Sequence, residues 1–222
     1  VLWHISDEPH ENHLEQYRAA KAQVEDLLDG AQVVDAMSSL EFAEQGVVDT
    51  PIVATDHVGP FLEAGRRPWV YYCVGQTRDV SNRFIALPSV RNRVLGRQLF
   101  THDAPGFLHW GYNFWWSQFS LRPIDPFEET CAGGAFFGGD AFAVYPGPDG
   151  TPWLSLRHRV FAQAMADHRA LTWLAELTDR PSATALIDEG GTLTYSSFSY
   201  DVGEHLGARH RVDERILAAL AG

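Results

Sequence analysis

The chain has 222 residues, 45% of them hydrophobic and 21% charged, the balance of a globular chain that can bury a core. Its 29 acidic against 17 basic residues give a formal net charge of -12, which argues against a phosphate backbone as partner, so nucleic acid is not expected. No run approaches the roughly 18 apolar residues of a membrane span, no signal-peptide layout opens the chain, and Cys73 and Cys131 are too few for a disulfide framework or metal site and leave the compartment open.

Leu2 to Ile5 has strand character and runs into two adjacent carboxylates, Asp7 and Glu8, before Pro9 stops the strand and is placed to open a helix. Carboxylates side by side at a strand's carboxyl end drive their pKa values apart, leaving a proton donor beside an ionised partner. The competing assignment is a helix amino terminus, where Asp and Glu cap and meet the macrodipole. Val1 opens inside this strand with no initiator Met, so the chain reads as a fragment of a longer protein. From Glu11 to Leu28, the residues Leu14, Tyr17, Val24, Leu27 and Leu28 make an apolar helical stripe that Gly30 ends.

Strand and helix then alternate. Gln32 to Ala36 reads as a buried strand with Asp35 near its end, followed by a short helix near Ser39 to Gln45. Pro51 to Ala54 precedes Thr55, Asp56 and His57; Trp69 to Cys73 precedes a polar run to Asn82; a helix covers Ser89 to Phe100; Gly106 to Trp110 is a fifth strand. Such βα units argue for an α/β fold around a parallel sheet. A Gly-, Pro- and Phe-rich loop fills Ser117 to Gly139, Phe142 to Tyr145 adds a short strand, and Ser155 to Leu177 is the strongest helix. Thr184 to Ile187 and Thr192 to Phe198 are strand-like, and a helix closes the chain near Glu214 to Ala221.

The segment His4-Ile5-Ser6-Asp7-Glu8-Pro9, taken with Gly106-Phe107-Leu108-His109-Trp110-Gly111-Tyr112-Asn113-Phe114-Trp115, resembles the catalytic domain of glycoside hydrolase family 123. Asn82-Arg83-Phe84-Ile85, Gly139-Asp140-Ala141-Phe142, Tyr145-Pro146-Gly147 and Ser155-Leu156-Arg157 match in the same order, so the likeness covers residues from about 2 to 177. The resemblance implies a (β/α)8 barrel of which this chain carries strands four to eight, over 1–177, with a short carboxy-terminal extension over 178–222 packing on it. A missing amino-terminal part would then complete the barrel, since an open remnant exposes two sheet edges.

It also implies activity on N-acetyl-β-D-galactosaminides by a retaining, substrate-assisted route, with a glycan as partner and no cofactor. Glu8 would be the general acid/base and Asp7 the carboxylate that orients the substrate's acetamido group, an exception to the scheme with a carboxylate nucleophile. For substrate binding, aromatic planes suit the apolar faces of sugar rings, and His, Tyr and Asn suit hydroxyls. Trp110 and Tyr112 are the expected site-facing aromatics, with His109 and Asn113 beside them, while Trp115 and Trp116 are each as well suited to packing in the core as to the site. Tyr71 and Tyr72 alternate across their strand, so one of the two faces the site. Asp35, His57 and Asn82 are further candidates for sugar hydroxyls; Asp56, Arg83 and Asp140 stand in similar places, and each is equally suited to a structural hydrogen bond. His10 and His13 share a helix face, yet no zincin order follows, so no metal is assigned. The alternative to an enzyme is a non-hydrolytic carbohydrate-binding module derived from such a barrel.

Overall fold

The computed structural model describes residues 2–221, of Glu11 the backbone alone; Val1, expected inside the first strand, lies outside the described residues. The chain divides into two compact units, Val1–Tyr72 with Asp103–Leu108, and Cys73–His102 with His109–Gly222.

In the first unit, β1 (Leu2–Trp3), β2 (Gln32–Ala36), β3 (Thr50–Ala54), β4 (Trp69–Tyr71) and β5 (Phe107–Leu108) form one sheet in sequence order. Every pairing is parallel, with Trp3 beside Val33, Val34 beside Thr50, Ile52 beside Trp69 and Val70 beside Phe107. This is the parallel α/β sheet that the alternating pattern predicts. Parallel strands need crossovers, supplied here by α1 (Leu14–Leu28), α2 (Leu40–Glu44) and α3 (Gly59–Glu63). The last was not legible, because Gly59-Pro60 reads as a turn.

Leu14, Tyr17 and Leu28 of α1 bury against Val33, Met37, Phe42, Val47 and Val48. Leu27, assigned to that stripe by spacing, is instead 70% exposed. Pro9 does not begin the helix either: a 3-10 turn at Glu11–His13 leads into α1. The helix stops where Asp29 takes φ 47° and Gly30 φ 71°, the left-handed conformation that closes a carboxyl end.

The second unit is helical. The helix expected over Ser89 to Phe100 is present as α4 (Val90–Arg93) and α5 (Leu95–Thr101), which meet at Val94. The hairpin β6 (Val144–Pro146) and β7 (Pro152–Leu154) precedes α6 (Leu156–Leu177), whose cap is Ser155, its hydroxyl accepting His158 N–H at 3.1 Å. Two expectations fail beyond it. Thr184 to Ile187 is no strand: Asp179 accepts Ser182 N–H at 2.7 Å and Pro181 sits in the first turn, so α7 (Arg180–Ala185) forms. Thr192 to Phe198 forms no strand, and α8 runs over Val202–Ala221, a full three turns earlier than its apolar end suggests, because Asp201 accepts from Gly203 N–H and Glu204 N–H.

One core holds these helices together: Phe100, Ala170, Leu171, Leu174, Ala183, Ile187, Ala208, Val212 and Ile216. Among the described residues no helix is long and apolar enough to cross a membrane. Where α5 crosses α6, a Cβ built on Gly96 would lie 1.8 Å from the Ala164 carbonyl oxygen. Gly96→Ala gains about 1 kcal/mol of helix propensity but must push two backbones apart, an overpacking that costs about 1–3 kcal/mol. With a backbone atom as the obstacle the upper end applies, so a net loss of about 2 kcal/mol is expected in urea unfolding; a raised midpoint would show that the crossing relaxes freely.

Candidate active site

The acidic pair does not belong to β1 itself, which ends at Trp3. Asp7 and Glu8 lie in the loop after it, both exposed, and Glu8 takes φ 43°. Strand alternation therefore does not separate their side chains.

That loop rests on Asp35, a fully buried side chain of β2. Asp35 Oδ1 accepts Ile5 N–H at 3.0 Å and Ser6 N–H at 3.2 Å and pairs closely with His4 Nδ1. Its Oδ2 accepts Ile5 N–H at 3.3 Å and the Tyr17 hydroxyl. Burial raises the Asp35 carboxyl above its usual range, and Tyr17 first, then Ile5, Ser6 and His4, pull it back. The Tyr17 phenol is raised in turn, mainly by burial and by donating to Asp35.

From β4, the Tyr71 hydroxyl donates to Glu8 Oε1 at 2.5 Å. Tyr72 is fully buried with its ring 4.9 Å from that of Phe107, so of the two tyrosines it is Tyr71 that reaches the acidic loop. His57 follows β3, exposed, with Nδ1 2.8 Å from Asp56 Oδ1. Within the first unit the acidic loop after β1, Asp56 and His57 after β3, and Tyr71 at the end of β4 thus lie at the carboxyl ends of parallel strands.

The second unit holds the remaining candidates. Asn82 is fully buried and used internally: Nδ2 donates to the Cys73 and Gln76 carbonyls, both at 2.9 Å, and Oδ1 accepts Arg83 N–H at 2.7 Å. His109 Nδ1 accepts from Arg83 Nη2 at 2.8 Å and from Gly111 N–H at 3.0 Å, which leaves the ring proton on Nε2, 3.5 Å from Asp140 Oδ1. Trp110 is 41% exposed; its indole N–H donates to Asp140 Oδ2 at 3.1 Å, and Phe114 and Phe136 meet its ring edge-on at 5.3 Å. Tyr112 is exposed, with its hydroxyl 3.2 Å from His158 Nε2. Asn113 is exposed and bridges Phe142 through the backbone. Trp115 packs against the Phe142 core and donates to the Val144 carbonyl at 3.0 Å, whereas Trp116 stays 43% exposed.

Sequence reasoning did not assign Tyr17 or Arg157 to any site. Tyr17 looked like one more apolar stripe position, and nothing marks its hydroxyl as the donor to Asp35. Arg157 Nη1 donates to the Gly139 and Phe142 carbonyls at 2.6 and 2.9 Å, holding the loop that carries Asp140. Its place in Ser155-Leu156-Arg157 was the available signal. Among the described residues no group of three or more His, Cys, Asp or Glu is placed to hold a metal ion.

The first unit thus pairs a parallel βα sheet with an exposed acidic pair past one strand and a phenol hydrogen-bonded to one of its carboxylates. The chain belongs to the glycoside hydrolase 123 catalytic-domain family, whose model matches residues 1–174. A family 123 glycoside hydrolase from Clostridium perfringens, whose structure was analysed for the details of glycolipid glycan hydrolysis, is similar in fold, with a TM-score of 0.60 at 16% identity. The likeness covers 97% of this chain and 40% of that one. No curated protein matches.

Burial is the largest influence on His109 and lowers its imidazole to about 4; Asp140 opposes this and the Arg83 guanidinium adds to it. The folded state therefore resists a proton that the unfolded chain accepts near 6.5, so this contribution is complete above pH 6.5 and is lost as pH falls toward 4. The full linkage amounts to about 3 kcal/mol. His109→Gln should flatten the decline of unfolding free energy between pH 6.5 and pH 4 relative to wild type; parallel curves would mean that His109 does not carry it.

Proposed function

We propose that the full-length protein is a retaining glycosidase that releases a terminal β-linked N-acetylhexosamine, N-acetyl-β-D-galactosaminide being the favoured substrate, by a substrate-assisted mechanism. The observation that carries this reading is family membership over residues 1–174 together with the Tyr71 hydrogen bond to Glu8 in the loop beyond β1. On the family's layout β1–β5 are strands four to eight of a (β/α)8 barrel whose first three strands come from elsewhere in the protein. The fold supports this, as β1 and β5 are the terminal strands of the sheet among the described residues and the chain spans 40% of the family 123 structure it resembles.

Glu8 protonates the departing glycosidic oxygen. Tyr71 occupies its Oε1, which leaves Oε2 to carry the proton. The substrate's acetamide carbonyl attacks the anomeric carbon, the C–O bond to the aglycone breaks, and an oxazolinium forms whose positive charge Asp7 stabilises. Glu8, now ionised, takes a proton from water, which opens the ring with net retention. Trp110 presents an indole face for stacking, held by Asp140 and two phenylalanines. His109 stays neutral at working pH and keeps Asp140 in place.

The test is kcat/KM of the full-length protein on alkyl and activated aryl N-acetyl-β-galactosaminides. General acid catalysis contributes about 10²–10⁴-fold, so Glu8→Gln should lose that much on the alkyl substrate and far less on the aryl one. Asp7→Asn removes an electrostatic stabiliser, a loss of about 10²–10³-fold on both. Rescue of Asp7→Asn, but not Glu8→Gln, by the activated leaving group would reverse the two roles. If neither change costs even about tenfold, the pair is a structural turn; substrate binding without turnover would identify a carbohydrate-binding module.

A further inference from the structure

We propose that Asp35 is the positioning residue of the catalytic loop: its buried carboxylate fixes the turn His4–Ser6 from which Asp7 and Glu8 project. This rests on the reading of Asp7 and Glu8 as the catalytic pair. A carboxylate in β2 with no exposure cannot meet a sugar hydroxyl, and both of its oxygens already face donors. Two of those donors are consecutive backbone amides, Ile5 and Ser6, and the third and fourth are His4 Nδ1 and the Tyr17 hydroxyl. One side chain thereby sets the direction of the backbone immediately before the acidic pair.

No backbone group of β2 could do this, since a carbonyl offers one oxygen and a carboxylate two. The titratable neighbours of Asp35 are His4 from the acidic loop and Tyr17 from α1. Asp49, which also bears on Tyr17, accepts Val33 N–H at 2.7 Å and has Lys21 of α1 3.9 Å away. Protonating Asp35 places a hydrogen on an oxygen that faces only donors, so the turn loosens in acid. Tyr17 is the handle on this: its hydroxyl is the strongest of the partners that favour the ionised carboxylate.

Wild type, Asp35→Ala, Asp35→Asn and Tyr17→Phe of the full-length protein are compared by amide hydrogen exchange over residues 2–8 and by kcat and KM across pH. Asp35→Ala should release the Ile5 and Ser6 amides and lower kcat by about 10²-fold with KM little changed, as expected for a misplaced but present pair. Asp35→Asn keeps one acceptor oxygen and should recover part of that loss. Tyr17→Phe keeps its ring against Phe42, 5.6 Å away edge-on, and should move the acid limb of kcat upward by about one pH unit, which a merely structural residue would not do. If Asp35→Ala does not fold, Tyr17→Phe alone decides. Unchanged exchange in Asp35→Ala, an opened turn with unchanged kcat, or an unmoved acid limb in Tyr17→Phe each overturns the proposal. A wild type that hydrolyses no glycoside overturns the functional reading instead, and exchange then decides whether Asp35 holds the turn.

Discussion

Parallel register is the constraint on which the first unit depends. Neighbouring parallel strands cannot be joined by a tight hairpin, so each strand delivers its following loop to the same edge of the sheet. That requirement gathers chemistry from positions far apart in sequence: the acidic loop after β1, Asp56 and His57 after β3, and Tyr71 at the end of β4. The Tyr71–Glu8 hydrogen bond joins residues 63 apart in the chain and follows directly from that shared edge. Strand interiors are free to be apolar, and Val33, Ile52, Val53 and Val70 are almost completely buried, as strands covered on both faces require.

Charge inside such a fold has to be surrounded by partners, and the two units solve this separately. In the first, Asp35 collects two amides, a phenol and an imidazole. In the second, Asp167 of α6 takes the Arg93 guanidinium as a fork, at 2.9 and 3.3 Å, and a single bond from Arg209 of α8 at 3.2 Å, tying the last helix to its neighbours. Buried pairs of this kind add little net stability compared with apolar packing, but removing one member strands the other. They specify which faces meet. The apolar cluster around Leu171 and Leu174 supplies the adhesion between the same helices.

How much of this was legible follows the physics of each signal. The βα alternation was readable from short apolar strand runs separated by helical segments, and helix α6 from a long stretch without Gly or Pro that begins behind a Ser155 cap. The acidic pair and the Trp110 region stand out in the sequence by motif and chemistry together, and the structure leaves Asp7, Glu8 and Trp110 exposed. What sequence could not give was set by single hydrogen bonds between distant residues. Asp35 fitted a sugar hydroxyl or a structural hydrogen bond equally well from its place in the strand, and its burial among four donors depends on residues that the sequence does not bring together. The amino-terminal half of α8 was missed since His205 and Ala208, its inward residues, are not strongly apolar, and its start depends on Asp201 rather than on periodicity. Tyr71 and Tyr72 were indistinguishable until the strand's facing was known.

Glu8 shows why the acidic loop needs support on two sides. A non-glycine residue at positive φ costs about 1–2 kcal/mol relative to the right-handed regions, and Glu8 sits at φ 43°. Unsupported, that residue would relax and carry its carboxylate elsewhere. Behind it, the Ile5 and Ser6 amides are held by Asp35; at its tip, Oε1 is held by Tyr71. Each hydrogen bond to a charged group contributes about 1.5–3 kcal/mol, enough to outweigh the strain of one left-handed residue. Strain kept in place by surrounding contacts is common where geometry matters more than local comfort. The loop's backbone conformation is thus set by its neighbours in β2, α1 and β4 rather than by its own sequence.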